Sequence, residues 1–260
     1  MASSTLSSAL KPLVDFVYPP RCPLCGEGIA AGPGLCAACW ETLEFPGEPA
    51  CMRCQTPLSL VDTDDICHAC RTTPPRHSGI VAAVLYNDPA RQLVLRFKHG
   101  GRIGLARLMG RLIAARLSGA PEDAILIPVP LHRTRLWLRG YNQSALLTDA
   151  IARHTGHAVM VDALQRTRHT PKLGGLGRTA RARTLRGAIR LRRFATDTLA
   201  GRDVILIDDV LTSGATTGEC ARVLLDAGAG SVRIACFARV AERSWSENET
   251  PGTITTPGAT

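Results

Sequence analysis

Two groups of residues in this 260-residue sequence are of a type and spacing that can do chemistry. The first is eight cysteines in four C-x-x-C pairs, Cys22/Cys25, Cys36/Cys39, Cys51/Cys54 and Cys67/Cys70, with 10, 11 and 12 residues between successive pairs. A C-x-x-C knuckle turns tightly enough to aim two thiolates at one metal. Two knuckles complete the tetrahedral four-sulfur shell that Zn²⁺ prefers, so the eight cysteines are read as ligands of one or two structural Zn²⁺ ions. Disulfides would need an oxidising compartment. A thioredoxin-like motif would occur once rather than four times, and iron–sulfur ligation has a more asymmetric spacing. Sequential pairing of the knuckles needs the shortest loops, and a crossed pairing stays open. His68, inside the last knuckle, is read as a bystander with substitution as a ligand the alternative. Metal also answers a stability problem, because roughly 50 residues with few large apolar side chains cannot build an adequate core.

The second group is the segment V-I-L-I-D-D-V-L-T-S-G-A-T-T over residues 204–217. An apolar strand, Val204–Ile207, delivers Asp208 and Asp209 to its carboxyl end, the edge at which open α/β sheets bind ligands. The chain then turns through Thr212, Ser213, Gly214, Ala215 and Thr216 into a helix. Small residues bring backbone N–H groups close to an anion, hydroxyls add donors, and a helix N-terminus contributes positive potential. Carboxylates suit sugar hydroxyls and the turn suits phosphate, so together they describe a ribose 5-phosphate site. The sequence contains no G-x-x-x-x-G-K-[ST] and no G-x-G-x-x-G, which removes the usual signatures of ATPases and dinucleotide-binding enzymes.

The elements that must hold these groups follow from apolar patterning. Strands are expected at Ile80–Tyr86, Ala124–Val129, Val159–Leu164, Val204–Ile207 and Val232–Phe237. Helices are expected at Pro89–Lys98, Leu105–Leu117, Tyr141–His154 and Thr216–Ala227, the last capped by Gly228. Such alternation predicts an α/β domain built on a doubly wound, mostly parallel sheet, with a small N-terminal metal-bound module. Residues 166–187, with six arginines, Lys172, Gly174, Gly175 and Gly177, resemble neither helix nor strand and are read as a mobile basic loop. The expected organisation is an N-terminal segment 1–20, the cysteine module 21–75, the α/β domain 76–241 and a disordered tail 242–260. Cys220 and Cys236 are read as ordinary buried thiols.

Charge is unevenly placed: residues 91–193 carry a net +17, and the stretches on either side carry −4 each within a total of +9. The positive middle suits a phosphate-bearing ligand or nucleic acid. Of 31 basic residues 28 are arginine, which a coding bias would partly explain. With 45% apolar residues the chain is no disordered, collagenous or coiled-coil protein. No run approaches the roughly 20 apolar residues that span a bilayer, and the N-terminus lacks the features of a secretory signal. A cytoplasmic location is the expectation.

Residues 204–217 resemble the phosphoribosyl pyrophosphate (PRPP) motif of type I phosphoribosyltransferases. The wider layout resembles the ComF family, which joins a double zinc ribbon to a phosphoribosyltransferase domain. The landmarks are the four knuckles, Phe97-Lys98-His99-Gly100, Pro128-Val129-Pro130-Leu131-His132, Arg139-Gly140-Tyr141-Asn142-Gln143 and the terminal motif. One departure is Leu173, where the family commonly carries glutamine. The resemblance implies Mg²⁺ and PRPP as ligands, with Asp208 and Asp209 on the ribose hydroxyls. It places Thr212, Ser213, Gly214, Ala215 and Thr216 on the 5-phosphate. Arg133 or Arg135 would face the pyrophosphate, with Lys98 and Arg139 as weaker candidates. Two functions are implied: phosphoribosyl transfer to an unspecified acceptor, or non-catalytic handling of single-stranded DNA, alone or with a DNA-uptake protein, in natural transformation. The aromatic content of 4% argues against a long base-stacking groove.

Overall fold

The computed structural model of the chain describes residues 19–29, 34–58, 65–99, 101–168 and 178–240. Lys172, Leu173, the glycines at 174, 175 and 177, and the expected tail 242–260 lie outside these residues.

Among the described residues the helices and strands run α1 (Ala37–Glu41), α2 (His68–Thr72), β1 (Gly79–Leu85), α3 (Asp88–His99), α4 (Leu105–Ala115), β2 (Ile125–Pro128), α5 (Arg133–Arg139), α6 (Gln143–Thr155), β3 (Ala158–Val159), β4 (Leu164–Arg166), α7 (Arg178–Leu185), β5 (Ile189–Leu191), α8 (Thr196–Leu199), β6 (Asp203–Leu211), α9 (Ala215–Asp226) and β7 (Ser231–Arg239). Five strands make an all-parallel sheet in the order β1-β7-β6-β2-β3. Both faces of this sheet are covered, which is why Val204–Ile207 of β6 reads as an unbroken apolar run. Its side chains alternate: Val204 and Leu206 meet Cys220, Ala221 and Leu224 of α9, whereas Ile205 and Ile207 join Phe97, Met109, Ile113, Leu147 and Ile151 on the other side.

The metal module covers the open edge of the sheet. The Leu85 amide donates to the Glu44 carbonyl at 2.7 Å, and the Ala82 amide donates to Gln55 Oε1 at 2.8 Å. Edge donors that would otherwise recruit another strand are thereby paired. Leu24, Leu35 and Leu43 pack against the same core, and Arg96 Nη1 donates to the Leu24 carbonyl at 3.2 Å.

Two expectations are corrected. Val159–Leu164 is not one strand: β3 ends at Val159, the chain turns at 161–163, and Leu164–Arg166 pairs antiparallel with Ile189–Leu191. Asp162 breaks the apolar run, and Leu164 and Ile189 bury themselves on the α9 side instead of lengthening an exposed edge. Within 166–187, helix α7 occupies Arg178–Leu185. It has no apolar stripe for periodicity to reveal. The segment is pinned after its end by the Gly187 amide, which donates to Glu219 Oε1 at 2.7 Å. No helix among the described residues is long and apolar enough to cross a membrane.

Candidate functional site

Sulfurs of Cys22, Cys25, Cys36 and Cys39 lie within 4.8 Å of one another, and so do those of Cys51, Cys54, Cys67 and Cys70. This is the sequential pairing, and it replaces the crossed alternative. Each set offers the four-thiolate shell of structural zinc. At Cys22 burial opposes ionisation, but the backbone N–H groups of Cys25, Cys36 and Leu24 draw its pKa down to about 6. At Cys54 burial again opposes, while the Thr56 hydroxyl and amide, Cys70 and the Arg239 charge draw it to about 6. His68 stands outside both sets, its Nε2 3.4 Å from Thr72 Oγ1. His77 nearby is held neutral to about pH 4 by burial and by the charges of Arg239 and Arg53. Cys220 and Cys236 are buried, and burial pushes both thiols well above their ordinary pKa.

Within the sheet, β2 stops pairing at Pro128 opposite Ile207, while β6 runs on beside β7 through Asp208 to Leu211. The two aspartates therefore sit where one neighbour has left the sheet. Asp208 Oδ1 accepts from Ser144 Oγ at 3.2 Å and from the Asp209 amide at 2.9 Å. Asp209 is buried, and its Oδ2 lies 2.9 Å from Lys98 Nζ on α3. Burial and the adjacent Asp209 charge push the Asp208 carboxyl up to about 7, against the opposing pull of Lys98, the Asp209 amide and Ser144.

Beyond Leu211 the chain turns into α9 through Gly214, whose φ of +71° is left-handed and suits a residue without a Cβ. Thr217 Oγ1 donates to the Gly214 carbonyl at 3.1 Å, which fixes the turn. The amides of Gly214, Ala215, Thr216 and Thr217 form the first turn of a helix, and the described residues offer them no backbone acceptor. Thr212 is exposed, and Ser213, Gly214, Ala215 and Thr216 are half-buried.

Thr216 opens onto a cleft of about 930 Å³ whose cations are Lys98, Arg135, Arg139 and Arg166. Arg135 thus lines the cleft, whereas Arg133 is exposed on α5 and is not part of its lining. Arg139 is held by Gln143, whose Oε1 accepts from Nη1 at 2.7 Å. The surrounding R-G-Y-N-Q segment is largely scaffold. Gly140 closes α5 in a left-handed conformation, and the Tyr141 hydroxyl donates to the Phe97 carbonyl. Asn142 caps α6 through the Ser144 amide and donates to the Val129 carbonyl at 3.1 Å. One segment thereby ties α3, α6 and the turn after β2 into a single wall.

Two groups escaped the sequence reading, one beneath Asp208 and one in the cleft wall. Ser144 gave no signal, because its hydroxyl meets Asp208 only through tertiary packing. Arg166 was absorbed into a basic loop, but it is the buried end of β4, and burial and the nearby Arg135 lower its pKa.

Comparison with known proteins agrees with both halves. The double zinc ribbon domain matches residues 13–71, and the phosphoribosyl transferase domain matches residues 146–252. The DNA utilization protein YhgH of Escherichia coli K12 is 31% identical over 231 residues, covering 86% of this chain and 99% of that protein. Competence protein F of Haemophilus influenzae is 29% identical over 226 residues, covering 84% and 96%. Competence protein ComFC of Bacillus subtilis is 27% identical over 206 residues, covering 75% and 79%. With a relative 31% identical and matched over 99% of its length, and with a double zinc ribbon domain followed by a phosphoribosyl transferase domain in this chain, the chain belongs to the ComF family.

Proposed function

We propose that the cleft at the carboxyl end of β6 binds PRPP as its Mg²⁺ complex and that the chain transfers the phosphoribosyl group to a nitrogenous acceptor. The observation that carries this reading is the set of unclaimed amides at Gly214–Thr217 directly after the Asp208–Asp209 pair. The turn from Thr212 to Thr216 takes the 5-phosphate, and the carboxylates of Asp208 and Asp209 accept hydrogen bonds from the ribose hydroxyls. Arg135, on the opposite wall, faces the pyrophosphate. The hard oxygen donors here suit Mg²⁺, which binds largely through substrate phosphates and its own waters and supplies charge neutralisation for the leaving group. The transition state is oxocarbenium-like and needs no side-chain nucleophile, so the protein's work is orientation and electrostatic stabilisation. Thiolate-bound zinc belongs to a reducing compartment, and we place the protein in the cytoplasm.

Calorimetric titration of PRPP with Mg²⁺ tests the reading. Heats should appear with the wild-type chain and vanish in the Asp208→Ala, Asp209→Ala variant. Equal heats in the two proteins overturn it.

A second reading is favoured by Trp137, 84% exposed on α5 beside the exposed Arg133. An aromatic face next to a guanidinium suits a base and its phosphate in single-stranded DNA, and relatives bear the names competence and DNA utilization protein. Retention of single-stranded DNA with a salt slope that shrinks in Arg133→Ala supports it; no retention at low salt rejects it.

A further inference from the structure

Arg239 ends β7, but its side chain leaves the sheet for the second cysteine set. The residue is 8% exposed, and its Nη2 donates to Thr56 Oγ1 at 2.9 Å. That oxygen lies 3.1 Å from Cys54 Sγ. Arg239 Nη1 is buried and has no partner among the described residues. A buried guanidinium with an idle donor is costly unless a negative charge faces it. Four thiolates around Zn²⁺ leave a net double negative charge, so the loaded cluster is the charge that the arginine lacks. Surroundings of the first set differ. There Arg21 Nη1 donates to the Gly26 carbonyl and Arg96 Nη1 to the Leu24 carbonyl, so both arginines are engaged on backbone oxygens.

We propose that Arg239 is the outer-sphere cation of the second four-thiolate site: through Thr56 it orients Cys54 and compensates the loaded cluster, so this site retains zinc longer than the first. The inference rests on the zinc reading of the two cysteine sets. Outer-sphere partners typically change metal affinity 10- to 100-fold, which sets the size of the effect.

The test is zinc release from the full-length protein into excess chromophoric chelator, with total zinc counted by elemental analysis. Wild type should lose its two equivalents at different rates. A Cys36→Ser, Cys39→Ser variant, which keeps only the second site, assigns the slow phase. Arg239→Met should speed the slow phase roughly tenfold or more and leave the fast phase unchanged. Thr56→Val, which removes only the hydroxyl, should speed the same phase less. Arg239→Lys should hold most of the wild-type rate. Unchanged release from folded Arg239→Met, or equal acceleration of both phases, overturns the proposal. Should Arg239→Met fail to fold, wild-type release from Thr56→Val overturns it instead. A chain that takes up no zinc at all removes the metal reading itself, an outcome separate from these.

Discussion

Lys98 Nζ lies 2.9 Å from Asp209 Oδ2, so a cation from α3 closes on the second of two adjacent carboxylates in β6. The contact explains how Asp208 and Asp209 share one end of a strand. Two neighbouring carboxylates in a desolvated site repel, and one external cation lets the pair persist. Lys98 thus has a carboxylate partner while it also lines the cleft.

Lys98→Met should therefore destabilise the fold. Lys98 keeps about a quarter of its side chain in solvent, so the loss is about 1–3 kcal/mol rather than the larger cost of a fully buried pair. Thermal melts read this as a drop of several degrees at this chain length. Lys98→Met with Asp209→Asn should recover most of the drop. A double variant no more stable than the single one would show that the ion pair is not its source.

Asp208 makes stability depend on pH. Its folded-state pKa is raised to about 7, first by burial and then by Asp209, whereas an unfolded aspartate titrates near about 4. Between those values the folded chain retains a proton that the unfolded chain has released. This contribution to stability is present in full below about pH 4, is lost as pH rises to about 7, and is then flat. Asparagine carries no such penalty, and its Oδ1 can still accept from Ser144 and the Asp209 amide. Asp208→Asn should match wild type near pH 4, melt higher at pH 8, and lose PRPP binding. Melts across this pH range that keep wild type the more stable at pH 8 would contradict the assignment.

The sheet and the two cysteine sets were legible because their signals are local. An apolar run such as Val204–Ile207 is buried on both faces, and C-x-x-C spacing encodes its own geometry. The strand-to-helix turn at Asp208–Thr216 was legible for the same reason, since its residues are contiguous. What the sequence hid were relations between distant segments. Ser144 and Asp208, Lys98 and Asp209, and Arg239 and Thr56 meet only after the sheet has formed. α7 was missed because its sequence, R-T-A-R-A-R-T-L, carries no apolar periodicity. The Arg139–Gln143 segment stood out, but its residues serve mainly as caps and ties.

Gly214 tests the proposed phosphate role of the turn before α9 through its backbone. A Cβ there would meet Thr217 Oγ1 at 3.8 Å and Leu211 Cδ1 at 3.9 Å, which is ordinary contact. The cost of Gly214→Ala is therefore conformational, about 1–2 kcal/mol for a left-handed residue with a side chain. Gly214→Asn should cost less, since asparagine tolerates this region. Chemical denaturation should rank the proteins Gly, Asn, Ala. PRPP affinity should fall in the same order if the amides of the turn hold the phosphate, and unchanged affinity in Gly214→Ala would argue that they do not.

Zinc removal should act on the sheet as well as on the ribbons. The ribbons supply Glu44 and Gln55 to the amides of Leu85 and Ala82 on edge strand β1. With so small a core of their own, the ribbons unfold when their metal is withdrawn, which leaves those amides bare. An exposed parallel edge recruits other strands, so chelation should cause aggregation whose lag shortens as protein concentration rises. Zinc restored within the lag should prevent it, whereas Mg²⁺ should not. Light scattering follows the process, and size-exclusion chromatography checks the starting state. A metal-stripped chain that stays monomeric at the same concentration would mean that the domain protects β1 without the ribbons.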